Sequence, residues 1–214
     1  MAKTGGDQAL IIKQQLIEKI KSRTAKVCVV GLGYVGLPFA VEKAKVGFTV
    51  TGIEQNPRRA AQINRGENYI GDVDDLELQD LVQRGLIRAE TGFDCVVEAE
   101  VAVICVPTPL TRNLTPDLRY VEKVTAEIAR RLRPGQLISL ESTTYPGTTE
   151  EVMLPILEQS GCRVEEDFFL CHSPERVNPG NKRYTTRNTS KVVGGAGAGD
   201  RHNMLDGLAV ESLR

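Results

Sequence analysis

Short apolar runs alternate with amphipathic segments along most of this chain, and the two patterns predict strands and helices. Continuous apolar runs, typical of parallel strands covered on both faces, lie at Val27–Val30, Thr49–Ile53, Val101–Val106, Leu137–Leu140, Phe168–Cys171 and Lys191–Val193. Helical patterns lie at 36–46, 57–64, 117–132 and 149–160. Because strand and helix alternate, the sequence predicts an α/β fold with right-handed crossovers: a doubly wound, mostly parallel sheet with helices on both faces.

Turn and capping residues agree with these boundaries. Gly47 is placed to end the helix at 36–46. Thr148 and Glu151 form a T-x-x-E pattern, which predicts a capping box at the start of the helix at 149–160.

An amphipathic helix precedes the first strand. Residues 10–20 place Ile12, Leu16 and Ile20 at helical spacing, with polar side chains on the rest of the wheel. We expect this leader helix to pack on the domain that follows, and contact with a second subunit is the alternative.

Composition excludes several classes of partner. The 214 residues are 41% apolar and 26% charged, with a formal net charge of -1 and with both signs mixed along the chain. Such mixing gives no electrostatic footprint for nucleic acid or an anionic membrane. No apolar run approaches the roughly 20 residues of a membrane helix, and the N-terminus lacks the order of a secretory signal. We therefore expect a cytoplasmic protein with small-molecule partners.

Cysteine placement favours reduced thiols. The count is odd, no C-x-x-C pair occurs, and several cysteines lie inside or at the ends of apolar runs. We predict mostly buried free thiols rather than a disulfide frame or a zinc site, at Cys28, Cys95, Cys105, Cys162 and Cys171.

A glycine-rich turn follows the first predicted strand, in the stretch KVCVVGLGYVGLP. Gly31 permits the tight turn, Gly33 lets the backbone approach a pyrophosphate, and Gly36 lets helix and strand pack closely. The N-terminus of the next helix offers N–H groups and a positive dipole end to the phosphates. This G-x-G-x-x-G in a strand–turn–helix context predicts dinucleotide binding by a Rossmann-type domain.

The acidic Glu54 ends the second predicted strand, at the distance from the glycines that dinucleotide-binding domains use. Its carboxylate is suited to accept hydrogen bonds from both adenosine ribose hydroxyls, and its charge would repel a 2′-phosphate. NAD is therefore favoured over NADP, although Arg58 and Arg59 just beyond act in the opposite direction.

Polar loops follow three further strands, at the sheet edge where open α/β sheets bind ligands. VPTPL presents Thr108, ESTTYPGTT presents Thr143, and HSPERVNPGN carries His172, Glu175 and Arg176. Each loop alone is compatible with ordinary turn chemistry. Because all three converge on one edge, we interpret them as part of a site, and we assign no role to His172.

Five motifs in order resemble the UDP-glucose/GDP-mannose dehydrogenase family. They are GLGYVGLP, VPTP followed by PDL, ESTTYPGTTE, SPERVNPGN and KVVGG, from about Lys26 to Gly195. The PERVNPGN loop and the leader helix look most like the branch of UDP-N-acetylglucosamine and UDP-N-acetylmannosamine 6-dehydrogenases. We accordingly divide the chain into a leader helix at 1–25, an NAD-binding Rossmann-type domain at 26–195, and a flexible segment at 196–214 before a connecting helix and second domain.

The resemblance implies NAD-dependent, four-electron oxidation of the C6 alcohol of a UDP-N-acetylhexosamine, or a related nucleotide sugar, to the uronic acid. In the family, a first hydride transfer gives an aldehyde, which a cysteine captures as a thiohemiacetal. A second hydride transfer gives a thioester, and water releases the acid. The resemblance further implies a UDP-sugar substrate and a homo-oligomer of the full-length protein.

The resemblance implies that five residues of the turn line the pyrophosphate: Gly31, Gly33, Tyr34, Val35 and Gly36. It also implies that Tyr34 lies close to the active site.

Other site residues follow motif by motif. Glu54 and Arg59 fall where the family holds the adenosine ribose. Thr108 and Thr143 match threonines that contact cofactor and help order the reactive water. Glu175 matches the glutamate that supports proton transfer, which suits a carboxylate in a partly dry cleft. The resemblance thus makes Thr143 and Glu175 catalytic.

The HSPERVNPGN loop differs from the pattern of the UDP-glucose dehydrogenases in the family. Glu175 and Arg176 match its substrate-binding side, but UDP-glucose dehydrogenases usually carry a second acid four residues after the glutamate. That position here is Pro179, which favours the N-acetylhexosamine branch.

The nucleophile of the family has no match in this sequence. None of the five cysteines has the family's Gly-x-Cys context, and the family places that cysteine and an accompanying lysine in later segments. We therefore expect this chain alone to bind NAD without turning over sugar nucleotide. A non-enzymatic NAD-binding regulatory module accounts for the glycine turn and Glu54 equally well, and it is the alternative.

Overall fold

A computed structural model describes residues 5–174 and 192–196 of the chain. The strands are β1 Lys26–Val30, β2 Thr49–Ile53, β3 Ile87–Glu90, β4 Val101–Ile104, β5 Leu137–Leu140, β6 Phe169–His172 and β7 Gly194–Gly195. The α-helices are α1 Gly5–Lys21, α2 Gly36–Lys45, α3 Pro57–Asn64, α4 Asp75–Gln83, α5 Arg119–Ala129 and α6 Leu154–Leu157. Short 3₁₀ segments at Asp94–Val97 and Glu158–Ser160 and a π-turn at Thr149–Met153 complete the described elements.

The strands form one sheet in the order β3-β2-β1-β4-β5-β6-β7. Neighbours from β3 to β6 pair in parallel, and β7 pairs antiparallel with β6. From β1 the chain winds outward to β2 and β3, then returns to the other side of β1 as β4. This reversal opens a crevice at the carboxyl ends of β1 and β4, where such sheets bind ligands. The predicted doubly wound, mostly parallel α/β fold is confirmed.

Apolar side chains cover both faces of the sheet, as the continuous apolar strands predict. One cluster includes Phe39 and Phe48 together with Leu78 of α4. The other includes Ile128 of α5 and Phe168 before β6. Burying each such side chain contributes about 1.5–3 kcal/mol, so the two clusters hold helices on both faces and fix the sheet edge that carries the loops.

The leader helix is confirmed as α1, and its apolar side packs on the domain that follows. Leu16 and Ile20 are buried in the first core cluster, whereas Leu10 is 53% exposed. Near its C-terminus, the Lys19 ammonium lies 2.9 Å from a carboxylate oxygen of Glu100, just before β4.

The cysteine prediction is also confirmed. None of the five cysteines forms a disulfide, and only Cys162 is partly exposed. The Sγ atoms of Cys28 and Cys95 lie 3.5 Å apart in the second core cluster. The hydrogen bond shared with Cys28, reinforced by burial, raises the pKa of the Cys95 thiol, so the Cys95 thiol stays protonated.

Elements with mixed composition escaped prediction. β3 reads IRAE, with alternating burial and charged residues at an edge of the sheet, and α4 has Leu78 and Leu81 as its buried residues. The strand predicted at Lys191–Val193 is wrong, because Val192 and Val193 lie outside any strand and β7 is Gly194–Gly195. The backbone hydrogen bonds to β6 decide this register, although glycine has low strand propensity.

The capping box at Thr148 is wrong. Thr148 has helical backbone angles, and its hydroxyl donates to the Tyr145 carbonyl at 2.8 Å instead of capping a helix. The helix predicted at 149–160 is a π-turn, α6 and a 3₁₀ turn in succession. Pro155 within α6 has no N–H to donate, which breaks the regular helical ladder there.

Two predicted elements are shorter than their patterns. The strand predicted at 101–106 ends at Ile104, and Pro107 and Pro109 follow in the next loop. The helix predicted at 117–132 is α5, Arg119–Ala129. Among the described residues, no helix combines the length and apolar character needed to cross a bilayer.

Candidate dinucleotide site

The glycine turn between β1 and α2 leaves room for side chains at only one of its three glycines. Gly31 has φ +92, and a Cβ there would lie 2.6 Å from the Cys105 carbonyl oxygen. A Cβ on Gly36 would lie 1.8 Å from the Gly31 carbonyl oxygen. A Cβ on Gly33 would meet nothing within 4 Å. The turn is therefore packed tightly beneath α2 and open at Gly33, the position at which a pyrophosphate approaches the backbone.

The N-terminus of α2 faces this opening without a competing anion. The first turn of α2 has no acidic residue, and Val35 at its N-cap makes no side-chain capping hydrogen bond. Tyr34 is 66% exposed on the turn, and Val35 is partly buried against the core. The positive end of the helix dipole is thus available to a phosphate, as a dinucleotide requires.

Glu54 follows β2 directly and is buried beside the turn. Its backbone N–H donates to the Glu90 carbonyl at 2.9 Å, which extends the β2–β3 ladder by one residue. Its Oε1 accepts from the N–H of Asn56 at 2.8 Å, and the Asn56 side chain in turn accepts from the Arg58 N–H and caps α3. The carboxylate is therefore held in one orientation at the carboxyl end of β2.

Arg59 and Tyr69 meet at the same side. The Arg59 guanidinium carbon lies 5.2 Å from the centre of the Tyr69 ring, within cation–π range. The Tyr69 hydroxyl donates to the Leu32 carbonyl at 2.7 Å. Burial, aided by the negative charge of Glu54 and opposed by Arg59, raises the pKa of Tyr69 to about 12. No signal in the sequence marks Tyr69, because it lies in a loop without periodicity or a motif.

The loops after β4 and β5 are joined by two short hydrogen bonds. The Thr108 hydroxyl donates to the Thr143 carbonyl at 2.6 Å, and the Ser142 hydroxyl donates to the Val106 carbonyl at 2.7 Å. Thr143 itself is exposed at the edge of the sheet. The meeting of these two loops agrees with the prediction that they converge at the carboxyl edge of the sheet, and Ser142, which received no role from the sequence, takes part in it.

His172 at the end of β6 contacts the same loop. Its Nε2 lies 3.3 Å from the Ser142 carbonyl oxygen, so the ring donates a hydrogen bond there. Burial lowers the pKa of His172, although the hydrogen bond to Ser142 opposes this effect. The lowered pKa favours the neutral ring at neutral pH. Glu175 and Arg176 lie outside the described residues, so their predicted roles stay predictions.

The residues form two groups along the carboxyl edge of the sheet. The glycine turn, Glu54, Arg59 and Tyr69 line the β1–β2 end, and Thr108, Thr143 and His172 line the β4–β6 end. A glycine turn below an open helix N-terminus, followed by a buried acid after β2, defines a Rossmann-type dinucleotide-binding domain.

A family model for the NAD binding domain of the UDP-glucose/GDP-mannose dehydrogenase family matches residues 25–208. The chain belongs to this family, and NAD is the cofactor of its domain. The resemblance seen in the five motifs is thereby confirmed.

Two curated relatives of the chain are named as dehydrogenases of UDP-N-acetylhexosamines. The chain is 40% identical over 172 residues to the UDP-N-acetyl-D-glucosamine 6-dehydrogenase of Pseudomonas aeruginosa, covering 80% of this chain and 40% of that protein. It is 33% identical over 171 residues to the UDP-N-acetyl-D-mannosamine dehydrogenase of Pyrococcus horikoshii, covering 79% of this chain and 41% of that one. The chain therefore spans about two fifths of the length of these relatives.

Solved structures agree on the fold. The NDP-N-acetyl-D-galactosaminuronic acid dehydrogenase of Methanosarcina mazei matches with a TM-score of 0.79 and 29% identity, over 92% of this chain and 44% of that one. The UDP-D-ManNAc dehydrogenase of Pyrococcus horikoshii matches with a TM-score of 0.73 and 34% identity, over 79% and 41%.

Proposed function

We propose that this chain supplies the cofactor domain of an NAD-dependent enzyme that oxidises the C6 alcohol of a UDP-N-acetylhexosamine to the uronic acid. The observation that carries the proposal is the joining of the β4, β5 and β6 loops beside a complete dinucleotide cradle. The names of the relatives, which include UDP-N-acetyl-D-glucosamine 6-dehydrogenase and UDP-N-acetyl-D-mannosamine dehydrogenase, support this substrate class.

The cradle residues hold the cofactor in this proposal. Gly31, Gly33 and Gly36 shape the turn, and Tyr34 and Val35 line the pyrophosphate together with them. Glu54 accepts hydrogen bonds from the adenosine ribose, and Arg59 lies beside it. The cofactor, once bound, supplies the hydride acceptor for the sugar alcohol.

The loop residues act on the sugar and on water. The Thr108 hydroxyl donates a hydrogen bond to the Thr143 carbonyl, so the hydroxyl fixes the loop and keeps its oxygen lone pairs for a ligand. The exposed Thr143 hydroxyl is suited to hold the water that releases the acid. Glu175 takes a proton during the reaction, and Arg176 binds substrate, as the family motif implies.

The nucleophile is not supplied by a cysteine of this chain in our proposal. Cys28, Cys95, Cys105 and Cys171 are buried, and Cys162 precedes β6 at the amino end of the strands, opposite the candidate site. We accordingly expect these 214 residues to bind NAD without producing NADH from sugar nucleotide.

The second candidate function is a non-enzymatic NAD-binding regulatory module. The burial of the thiols favours it, since such a module needs no nucleophile. It gives no reason for the hydrogen bonds that tie the Thr108, Thr143 and His172 loops together.

A chimeric enzyme tests the proposal. The segment of the Pseudomonas aeruginosa relative that this chain matches is replaced by the chain, and NADH is followed with UDP-N-acetylglucosamine, UDP-N-acetylmannosamine and UDP-glucose. We expect a pair of NADH molecules per uronic acid with an N-acetylhexosamine, and loss of turnover in the Glu175→Gln chimera. The unaltered relative is the control. A chimera that binds NAD but oxidises none of the sugars would support the regulatory module instead.

Assembly and location complete the proposal. We expect the full-length protein to be a homo-oligomer, as the family resemblance implies. We also expect it in the cytoplasm, because five cysteines without a disulfide suit a reducing compartment.

A further inference from the structure

The loop between α3 and α4 is fixed around Tyr69 by hydrogen bonds of the neighbouring Asn68 side chain. The Asn68 side chain accepts from the Ile70 N–H at 2.8 Å and donates to the carbonyls of Ile70 and Val73, both at 2.6 Å. Ile70 and Val73 are buried in the first core cluster. Three hydrogen bonds and two apolar anchors therefore fix the loop around Tyr69.

Tyr69 reaches from this loop to the glycine turn. Its hydroxyl donates to the carbonyl of Leu32, the residue between Gly31 and Gly33, at 2.7 Å. The Leu32 side chain is fully buried against Gly52 of β2, where a Cβ would lie 2.3 Å from Leu32 Cδ1. The Leu32 side chain thus packs against β2, and the Leu32 carbonyl accepts the hydrogen bond from Tyr69. The hydroxyl is a permanent donor at physiological pH, since the pKa of Tyr69 is about 12.

The Tyr69 ring also makes a cation–π contact with Arg59. The exposed Arg59 guanidinium lies over it, with its carbon 5.2 Å from the ring centre. Arg59 is one of two cations that would attract the 2′-phosphate of NADP, and its contact with the ring competes with that attraction. Glu54 lies near enough to influence the Tyr69 hydroxyl electrostatically, so the three side chains lie together at the β1–β2 end of the crevice.

We infer that Tyr69 is a positioning and specificity residue for the dinucleotide: its hydroxyl braces the phosphate-binding turn through Leu32, and its ring retains Arg59 so that NAD is preferred over NADP. The inference rests on NAD binding at the glycine turn. It assigns the two effects to different atoms of one side chain, so they are separable by substitution.

Calorimetric titration of the chain with NAD and NADP tests both effects. Tyr69→Phe removes the hydroxyl and keeps the ring, so both affinities should fall by the same factor, about 2- to 12-fold for one hydrogen bond. Tyr69→Leu also removes the ring, and the NADP-to-NAD affinity ratio should rise by about 2- to 5-fold. That rise should vanish when Arg59→Ala is added. Tyr120→Phe, on exposed Tyr120 of α5, is the matched control and should change neither affinity.

Other results would overturn the inference. Wild-type NAD affinity in Tyr69→Phe would exclude the brace, and an unchanged ratio in Tyr69→Leu would exclude the specificity role. A purely structural residue would lower the melting temperature of each variant without moving the ratio. If the wild-type chain itself binds no NAD, the cofactor role of the turn fails, and the inference about Tyr69 fails with it.

Discussion

Gly33 and Gly36 occupy opposite environments within one turn, and this difference makes their substitutions separable. A Cβ on Gly36 would lie 1.8 Å from a backbone oxygen, whereas one on Gly33 would meet nothing within 4 Å. We expect Gly36→Ala to destabilise the fold by about 1–3 kcal/mol, the usual cost of overpacking.

Gly33→Ala should leave the melting temperature near the wild-type value and weaken NAD binding at least tenfold, because its methyl group would occupy the pyrophosphate approach. Thermal unfolding and calorimetry on both variants measure these effects. Equal losses of stability in the two variants would contradict the open geometry at Gly33.

His172 gives the fold a pH dependence of defined sign. Its folded-state pKa is lowered by burial, so the unfolded chain binds a proton more readily than the folded chain. The free energy of unfolding should therefore fall as the pH decreases from about 6.5 through the folded-state pKa. His172→Gln, which keeps a donor for the Ser142 carbonyl, should reduce this slope in denaturant titrations between pH 7 and pH 5. A slope equal to that of the wild type would exclude His172 as its source.

Elements with a uniform pattern were predictable, and elements with a mixed pattern were not. β1, β2, β4 and β5 are buried on both faces and read as apolar runs. β3 lies at the edge and alternates with charged side chains, so no apolar run marks it. The T-x-x-E pattern at Thr148 failed because its hydroxyl finds a nearer acceptor in the Tyr145 carbonyl.

The packing of α1 is testable at the scale of the element. Leu16 is buried against the domain and Leu10 is exposed, so the two leucines form a matched pair on one helix. Leu16→Ala should lower the free energy of unfolding by about 2–5 kcal/mol, and Leu10→Ala by less than about 0.5 kcal/mol. Denaturant titration measures both. A larger effect at Leu10 would favour the alternative in which α1 contacts a second subunit.

For the molecule as a whole, the topology explains which parts of the site the sequence could reveal. Gly31, Gly33, Gly36 and Glu54 follow from a local motif, because strand, turn and helix place them without help from distant residues. The meeting of the β4 and β5 loops follows from strand order alone. Tyr69 could not be predicted, because its approach to Leu32 depends on how the α3–α4 loop folds around Asn68.

We propose that this chain holds NAD on its glycine turn, with Glu54 on the adenosine ribose. Calorimetric titration of the purified chain with NAD and NADP, repeated on Glu54→Ala, tests this directly. We predict saturable NAD binding, weaker NADP binding, and loss of the preference for NAD when the carboxylate is removed. Absence of binding by either dinucleotide would contradict a cofactor role for the glycine turn, and a Glu54→Ala variant with wild-type affinity and preference would contradict the role of Glu54.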